Sequence, residues 1–333
     1  MKTDINREKI NLKSAIILSI VSVISGLIIS YVGYVSILFA ILPIAICAGT
    51  IAALIHFECD ECKALKLAIP TFVVVLDWIF NDLYSLTGIF VVVLSLMIFL
   101  VYEQGWEKVE SVLGMILISS AMIVLIFLAA GMKNEQGISA VEFYKNLYED
   151  FKVDILSSVA SYGETYAEMG MEIPSSEDMM YVFDYFAGML ISIFFVIGFV
   201  IVGIALKVYS FILKKCNSDI VKLEKWKFMP TPIYAYFYIV LEFLSMFLTS
   251  ELTTYTLCVS NLSMIFMPIF FYMGIVAVMK MISERKKRGM PNVFTVIGAL
   301  LIMMALPRVL AYIGVFYCII ANKMKKIQGS NND

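Results

Sequence analysis

Glu242 is the residue whose chemistry stands out. It lies in PIYAYFYIVLEFLSMFLTS, a run from Pro232 to Ser250 with no other charged residue. A charged side chain at mid-membrane costs about 2.5–3.5 kcal/mol on insertion scales, so it is expected to face a cavity or a partner. Four roles fit: a ligand contact, a proton or cation site, half of an ion pair with Arg308, or a hydrogen-bonded structural carboxyl. Asp77 is the second carboxylate in apolar sequence, within AIPTFVVVLDWIFND. Asn81 and Asp82 follow it, which places it toward the end of a span, where water is expected to reach it. Arg308 follows Pro307 in the last apolar region. It either snorkels to the headgroups or, if buried, needs an acidic partner. Glu242, Asp77 and Arg308 are the candidate ligand-binding residues.

Metal chemistry has one candidate set. His56, Cys59 and Cys62 form H-x-x-C-x-x-C, and Cys216 is expected on the same side of the membrane. These are donor types that zinc takes. A single C-x-x-C in the short acidic loop HFECDECKALK is more simply a solvated turn, and no metal is assigned. The chain has no phosphate-cradling glycine loop, no nucleophile elbow and no catalytic triad. With one histidine in the whole sequence, acid–base enzymology is not expected, and neither is a cofactor.

The elements that position these residues follow from composition. Of 333 residues, 61% are apolar and 16% charged, with a mean hydropathy of +0.89. Soluble domains have about 45–50% apolar and about 25% charged residues. A helix of about 20 apolar residues crosses a hydrocarbon core of about 30 Å. The expected fold is an all-α polytopic membrane bundle of eight to ten segments, with an outer amphipathic helical loop. Helices are the expected spans because they bond every backbone group internally and the alternation of barrel strands is absent. The bilayer is the first partner, and a net charge of -2 gives no reason to expect nucleic acid.

In chain order, Lys2, Arg7, Lys9 and Lys13 put the N-terminus in the cytoplasm. The first apolar run lacks a cleavage signal and leads into a second, so it reads as a retained anchor. Ser14 to Ile55 carries no charge and suits two spans, broken near Gly33-Tyr34. Ser22, Gly26 and Ser30 in the first, and Ala45, Gly49 and Ala53 in the second, recur every four residues. Such stripes let helix backbones approach, within the chain or against a partner. A third span of about 67–82 starts near Pro70. Leu83–Tyr102 and Ser111–Met132 complete a bundle of about five segments over 1–132.

Residues 133–180 form the outer loop. Val141, Tyr144, Leu147, Tyr148, Phe151, Ile155 and Val159 fall at three- and four-residue steps, which predicts an amphipathic helix on the membrane surface or across the bundle mouth. Ser175 and Asp178, after Pro174, predict a capping box. The second bundle, 181–322, begins with spans of about 180–206, 232–250 and 255–280, the last containing Pro268. Six lysines from Lys207 to Lys227 mark a cytoplasmic loop. Pro291–Asn322 reads either as one kinked span or as a hairpin of 293–306 and 309–322. The basic residues of the polar tail, 323–333, favour the hairpin.

Lys225-Trp226-Lys227-Phe228-Met229-Pro230 leads directly into an aromatic-rich span. With the short third span, the outer loop ending at Pro174, and the closing pattern from Pro307 to Gly314 before a basic end at Lys323, the chain resembles the YybS-like family of bacterial multi-pass membrane proteins, a family of unknown function. That family is similar to a superfamily containing substrate-binding components of energy-coupling-factor vitamin transporters. The resemblance implies small-solute capture in a bacterial plasma membrane, with energy from a separate ATPase module. The chain departs from such components in having more than six spans and a large outer loop.

Two function classes follow. One is a transporter-like component that binds a small solute, with Glu242 and Asp77 lining the site. The other is a non-transporting scaffold or assembly factor for cell-envelope machinery, which holds membrane protein partners through the small-residue stripes and the lysine loop. The orientation is directly testable. With the six native cysteines replaced, Asn146→Cys should react with an impermeant maleimide on intact cells, and Lys9→Cys only after permeabilisation. The opposite pattern would invert the topology.

Overall fold

The structure is a computed structural model that describes residues 10, 12–32, 37–57, 63–81, 86–104, 108–133, 137–168, 175–216, 229–248, 253–287 and 307–330. Among these residues there are eleven helices and no strand: α1 (Leu12–Val32), α2 (Ile37–His56), α3 (Lys63–Asn81), α4 (Thr87–Gln104), α5 (Lys108–Met132), α6 (Ala140–Glu168), α7 (Ser176–Gly188), α8 (Leu190–Lys215), α9 (Pro232–Ser245), α10 (Thr254–Lys287) and α11 (Pro307–Ser330). The expected all-α class is what forms. Six helices (α1, α2, α3, α5, α8 and α10) are long and apolar enough to cross a bilayer, and α4 and α9 are shorter apolar helices.

Local chemistry sets many of the ends. The Ser175 hydroxyl accepts the Asp178 amide at 3.1 Å, and the Asp178 carboxylate accepts the Ser175 amide at 3.3 Å. That reciprocal pair is the predicted capping box. Ser139 caps α6 through the Glu142 amide at 3.2 Å, and Thr253 caps α10 through the Thr256 amide at 3.2 Å. Pro232 and Pro307 each open a helix, where the missing N–H leaves no bond unmade.

Some boundaries differ from those expected. Pro70 lies inside α3, which starts at Lys63; an interior proline removes one backbone bond, which membrane helices tolerate because neighbouring groups satisfy the freed carbonyl. α8 continues past Lys207 to Lys215, because a lysine stem extends along the helix and carries its charge outward. α9 stops at Ser245, short of the expected 250. A helix forms in the 133–180 segment, as expected from its periodicity, as α6. In the last apolar region, α11 covers the second hairpin arm, while 293–306 lies outside the described residues.

The helices form two compact units, one of Met1–Met180 with Ile197–Lys227, the other of Tyr181–Val196 with Phe228–Asp333. In the first, α1 packs on α2 and α3, α2 on α4, α3 on α4, α4 on α5 and α5 on α6. The small-residue stripes are used here. The Ser22 hydroxyl donates to Thr50 Oγ1 at 2.8 Å, Gly26 faces Val73, and Ala45 and Ala53 are fully buried. A Cβ on Gly49 would stand 2.7 Å from the Ala205 carbonyl oxygen and 2.9 Å from Val208. The Ser30 hydroxyl bonds back to the Gly26 carbonyl at 3.0 Å, as serines in membrane helices often do. Tyr144 docks α6, stacking on Phe127 at 3.8 Å between centroids and donating to the Phe127 carbonyl at 2.7 Å. Burial there raises its phenol above the ordinary range.

In the second unit α9, α10 and α11 pack on one another. Tyr238 stacks near Phe270, with ring centroids 5.2 Å apart, and Cys318 and Asn322 both donate to the Pro230 carbonyl, at 3.0 and 3.2 Å. Those pairings make α9 antiparallel to both neighbours, so α10 and α11 run parallel; Lys280 over the Tyr317 ring agrees with this. They cross at glycines. A Cβ on Gly314 would overlap the Phe270 carbonyl oxygen and stand 2.7 Å from the Gly274 nitrogen, and one on Gly274 would overlap the Leu310 carbonyl oxygen. No side chain fits at this crossing without separating the helices. Gly314→Val should therefore cost at least the ~1–3 kcal/mol typical of overpacking. The check is the thermal midpoint of the purified protein in detergent, with Gly203→Ala, which has open space at its Cβ, as the neutral comparison.

Candidate functional site

The two membrane carboxylates have different surroundings. Asp77 was expected within reach of water, but only 1% of it is exposed. One carboxylate oxygen accepts the Gly88 amide at 2.7 Å, and the other accepts the Asn81 side-chain amide at 3.0 Å. Asn81 also donates to the Ser30 carbonyl at 3.0 Å. Gly88 is the second residue of α4, so Asp77 caps that helix from α3. The bond is charge-assisted and lies at the positive end of the helix dipole. α1, α3 and α4 are thereby tied by one polar chain.

Glu242 belongs to the second unit and is half-buried on α9. Its carboxylate takes hydroxyl donors from two other helices: Ser263 of α10 at 2.5 Å and Tyr312 of α11 at 2.7 Å. Tyr238, one turn earlier on α9, is fully buried. Its hydroxyl makes no hydrogen bond of ordinary geometry and lies in the field of Glu242. Arg308 is exposed one turn before Tyr312 and is within electrostatic reach of Tyr238 and Tyr312. The structure thus brings Glu242 and Arg308 into one neighbourhood, with hydroxyls as the direct partners of the carboxylate. Asp77 belongs to the other unit.

Sequence reasoning missed Ser263, Tyr312 and Tyr238. It also missed Asn261, a clamp two residues before Ser263 on α10. Asn261 donates to the Gly188 and Leu257 carbonyls, each at 2.8 Å, and its carbonyl oxygen accepts from the amide and hydroxyl of Ser192. It thereby bonds backbone groups at the break between α7 and α8. The available signal was two polar residues, Asn261 and Ser263, in the long apolar run of α10.

His56 pairs with Tyr209 through its Nδ1, 3.1 Å from the phenol oxygen, and its ring meets Phe57 and Phe99 edge-on. Among the described residues no group of three or more histidine, cysteine or acidic side chains is placed to hold a metal. Cys59 and Cys62 lie outside the described residues. Cys216 is partly exposed at the end of α8.

A family model of predicted membrane proteins, DUF2232, matches residues 17–316. The chain belongs to the DUF2232 family. The match includes Asp77, Glu242, Ser263, Arg308 and Tyr312, so both polar neighbourhoods lie within the segment the DUF2232 model describes. No curated protein and no solved structure matches the chain.

The geometry separates the two carboxylates by consequence. Asp77→Ala removes a buried cap and leaves the Gly88 amide unpaired, which costs about 1–3 kcal/mol. It should lower the thermal midpoint of the detergent-solubilised protein, with Asp77→Asn intermediate. A midpoint equal to wild type for both would show that Asp77 is not structural.

Proposed function

We propose that this DUF2232 protein is a small-solute binding or transport component of a bacterial plasma membrane, with its N-terminus in the cytoplasm and no enzymatic activity of its own. The observation that carries the reading is Glu242. Asp77 is consumed by capping a helix, whereas Glu242 is held by side-chain hydroxyls of two other helices. Hydroxyls can turn to donate elsewhere or to accept, so such a carboxylate can exchange partners without breaking backbone structure. Ionisable groups in membrane helices that are not needed for folding commonly mark a substrate or ion path. Helices that stop short or break are common at transport sites; α9 is a short helix, and Asn261 of its neighbour α10 bonds the α7–α8 break.

The resemblance to the YybS-like family, and through it to energy-coupling-factor components, supports the same reading and adds a partner class, a separate ATPase module. The competing class, a scaffold for cell-envelope machinery, would use the small-residue stripes. Ser22, Gly26 and Gly49 are already engaged within the chain, which leaves that class less surface to work with.

Native mass spectrometry of the protein purified from its own host in mild detergent tests the proposal. A bound small molecule, or co-purifying ATPase and coupling subunits, is the expected result. The bound mass should be lost in Glu242→Gln. A ligand-free protein, or one bound only to cell-envelope machinery, would replace the transport reading with the scaffold.

A further inference from the structure

We propose that the C-terminal ends of α10 and α11 together form a binding site for the headgroup of an anionic lipid of the phosphatidylglycerol kind. The site belongs to the end of the second unit away from Glu242. It stands whether or not the protein binds a solute.

The first observation is where the fold gathers charge. On α10, Lys280, Arg285, Lys286 and Lys287 follow the apolar stretch. On α11, Lys323, Lys325 and Lys326 do the same. The two groups are far apart in sequence, but both helices run antiparallel to α9 and so parallel to each other. Their basic segments come to the same end of the pair. Lys280 over the Tyr317 ring sets the register. From that contact to Lys287 on α10, and to Lys326 on α11, is about 10 Å and about 14 Å at 1.5 Å per residue. Seven cations share this short zone with a single acid, Glu284. Two ordinary explanations cover only part of it. Cations in the last turn of a helix offset its dipole, and the effect fades beyond that turn. That accounts for Arg285, Lys286 and Lys287, but the last turn of α11 holds no basic residue and its lysines all precede it. Orienting the chain needs cations in a loop near a span, not cations carried on two adjoining helices.

The second observation is depth. α10 has 34 residues, about 51 Å at 1.5 Å per residue. A bilayer with its headgroups is about 40–45 Å thick, so the helix does not end inside the hydrocarbon. The stretch apolar enough to span stops at Glu284. The basic turn begins where hydrocarbon gives way to headgroups.

The third observation chooses the occupant. Met279, Met281 and Met324 are each at least half exposed, next to the exposed Lys280 and Lys323. Cations interleaved with exposed apolar side chains fit a lipid. Its phosphate meets the ammonium groups, and its chains cover the methionines. A soluble acidic protein would need the cations to stand clear of apolar surface. Four to eight Lys or Arg immediately beside a span is the pattern that recognises anionic lipid, and here the fold assembles it from two helices.

The test uses the full-length protein, stripped of host lipid in mild detergent and titrated with phosphatidylglycerol or with phosphatidylcholine of the same acyl chains. Native mass spectrometry reads the bound lipid. Phosphatidylglycerol should bind at least about tenfold tighter than phosphatidylcholine, and less tightly as salt rises. The triple variant Lys323→Gln, Lys325→Gln, Lys326→Gln should weaken that binding about a hundredfold, the equivalent of ~1 kcal/mol for each lost charge. The triple Lys323→Arg, Lys325→Arg, Lys326→Arg should keep it. So should Lys207→Gln, Lys214→Gln, Lys215→Gln, which removes three charges from α8. Equal binding of the two lipids, loss in the arginine triple, or an equal loss in the α8 triple would each overturn the site. So would inorganic phosphate or a glutamate-rich peptide filling it as well as the lipid does, because the ligand would then be a soluble anion or an acidic protein.

Discussion

Hydrocarbon offers no hydrogen bonds, and that constraint governs every polar choice in this protein. Serines on apolar helices bond back to carbonyls of their own helix. Asn322 and Cys318 both reach the Pro230 carbonyl, which lies just ahead of the first turn of α9. Asn261 does the same at the α7–α8 break. Asp77 is the strongest case, because its buried carboxylate accepts from the Gly88 amide and the Asn81 carboxamide at the start of α4. Asn322, Asn261 and Asp77 are placed where backbone groups at helix ends would otherwise be short of a partner.

Glu242 follows a different logic. Its partners are hydroxyls that could be satisfied in other ways, and its position at a helix C-terminus works against it electrostatically. The surrounding packing is tight: Tyr238, Phe270, Ala311 and Val315 form one buried cluster. A rigid apolar frame around an adaptable polar centre holds donor atoms at fixed spacing while leaving their orientation free. The binding role depends on that combination.

Much of this was legible in the sequence. Long uncharged runs gave the helical membrane class, because span length is fixed by bilayer thickness. Ser175 and Asp178 gave a helix start, because a capping box is local. Glu242 announced itself as an isolated charge. What could not be read were long-range pairings. Asp77 was placed near water because Asn81 and Asp82 follow it, yet its decisive partner is the Gly88 amide, and every residue but proline has an amide to offer. Ser263 and Tyr312 are ordinary residues in apolar helices, and only the packing of three helices brings them to one carboxylate. Helix ends were also misjudged where a long lysine stem or a tolerated interior proline let the helix continue.

The glycine crossing of α10 and α11 has a mechanical meaning. Two parallel helices whose backbones meet at small residues have no side chain to displace at that crossing, and any shift in their mutual angle is magnified at the far ends. Lys287 lies thirteen residues beyond Gly274, about 20 Å along the axis at 1.5 Å per residue. A change of about 6° in the crossing angle would displace that end by about 2 Å, with helix lengths taken from ideal geometry. Tyr312 sits two residues from the pivot at Gly314 and hardly moves. The bundle therefore has a fulcrum beside its charged centre and a lever arm leading to the basic residues at the end of α10.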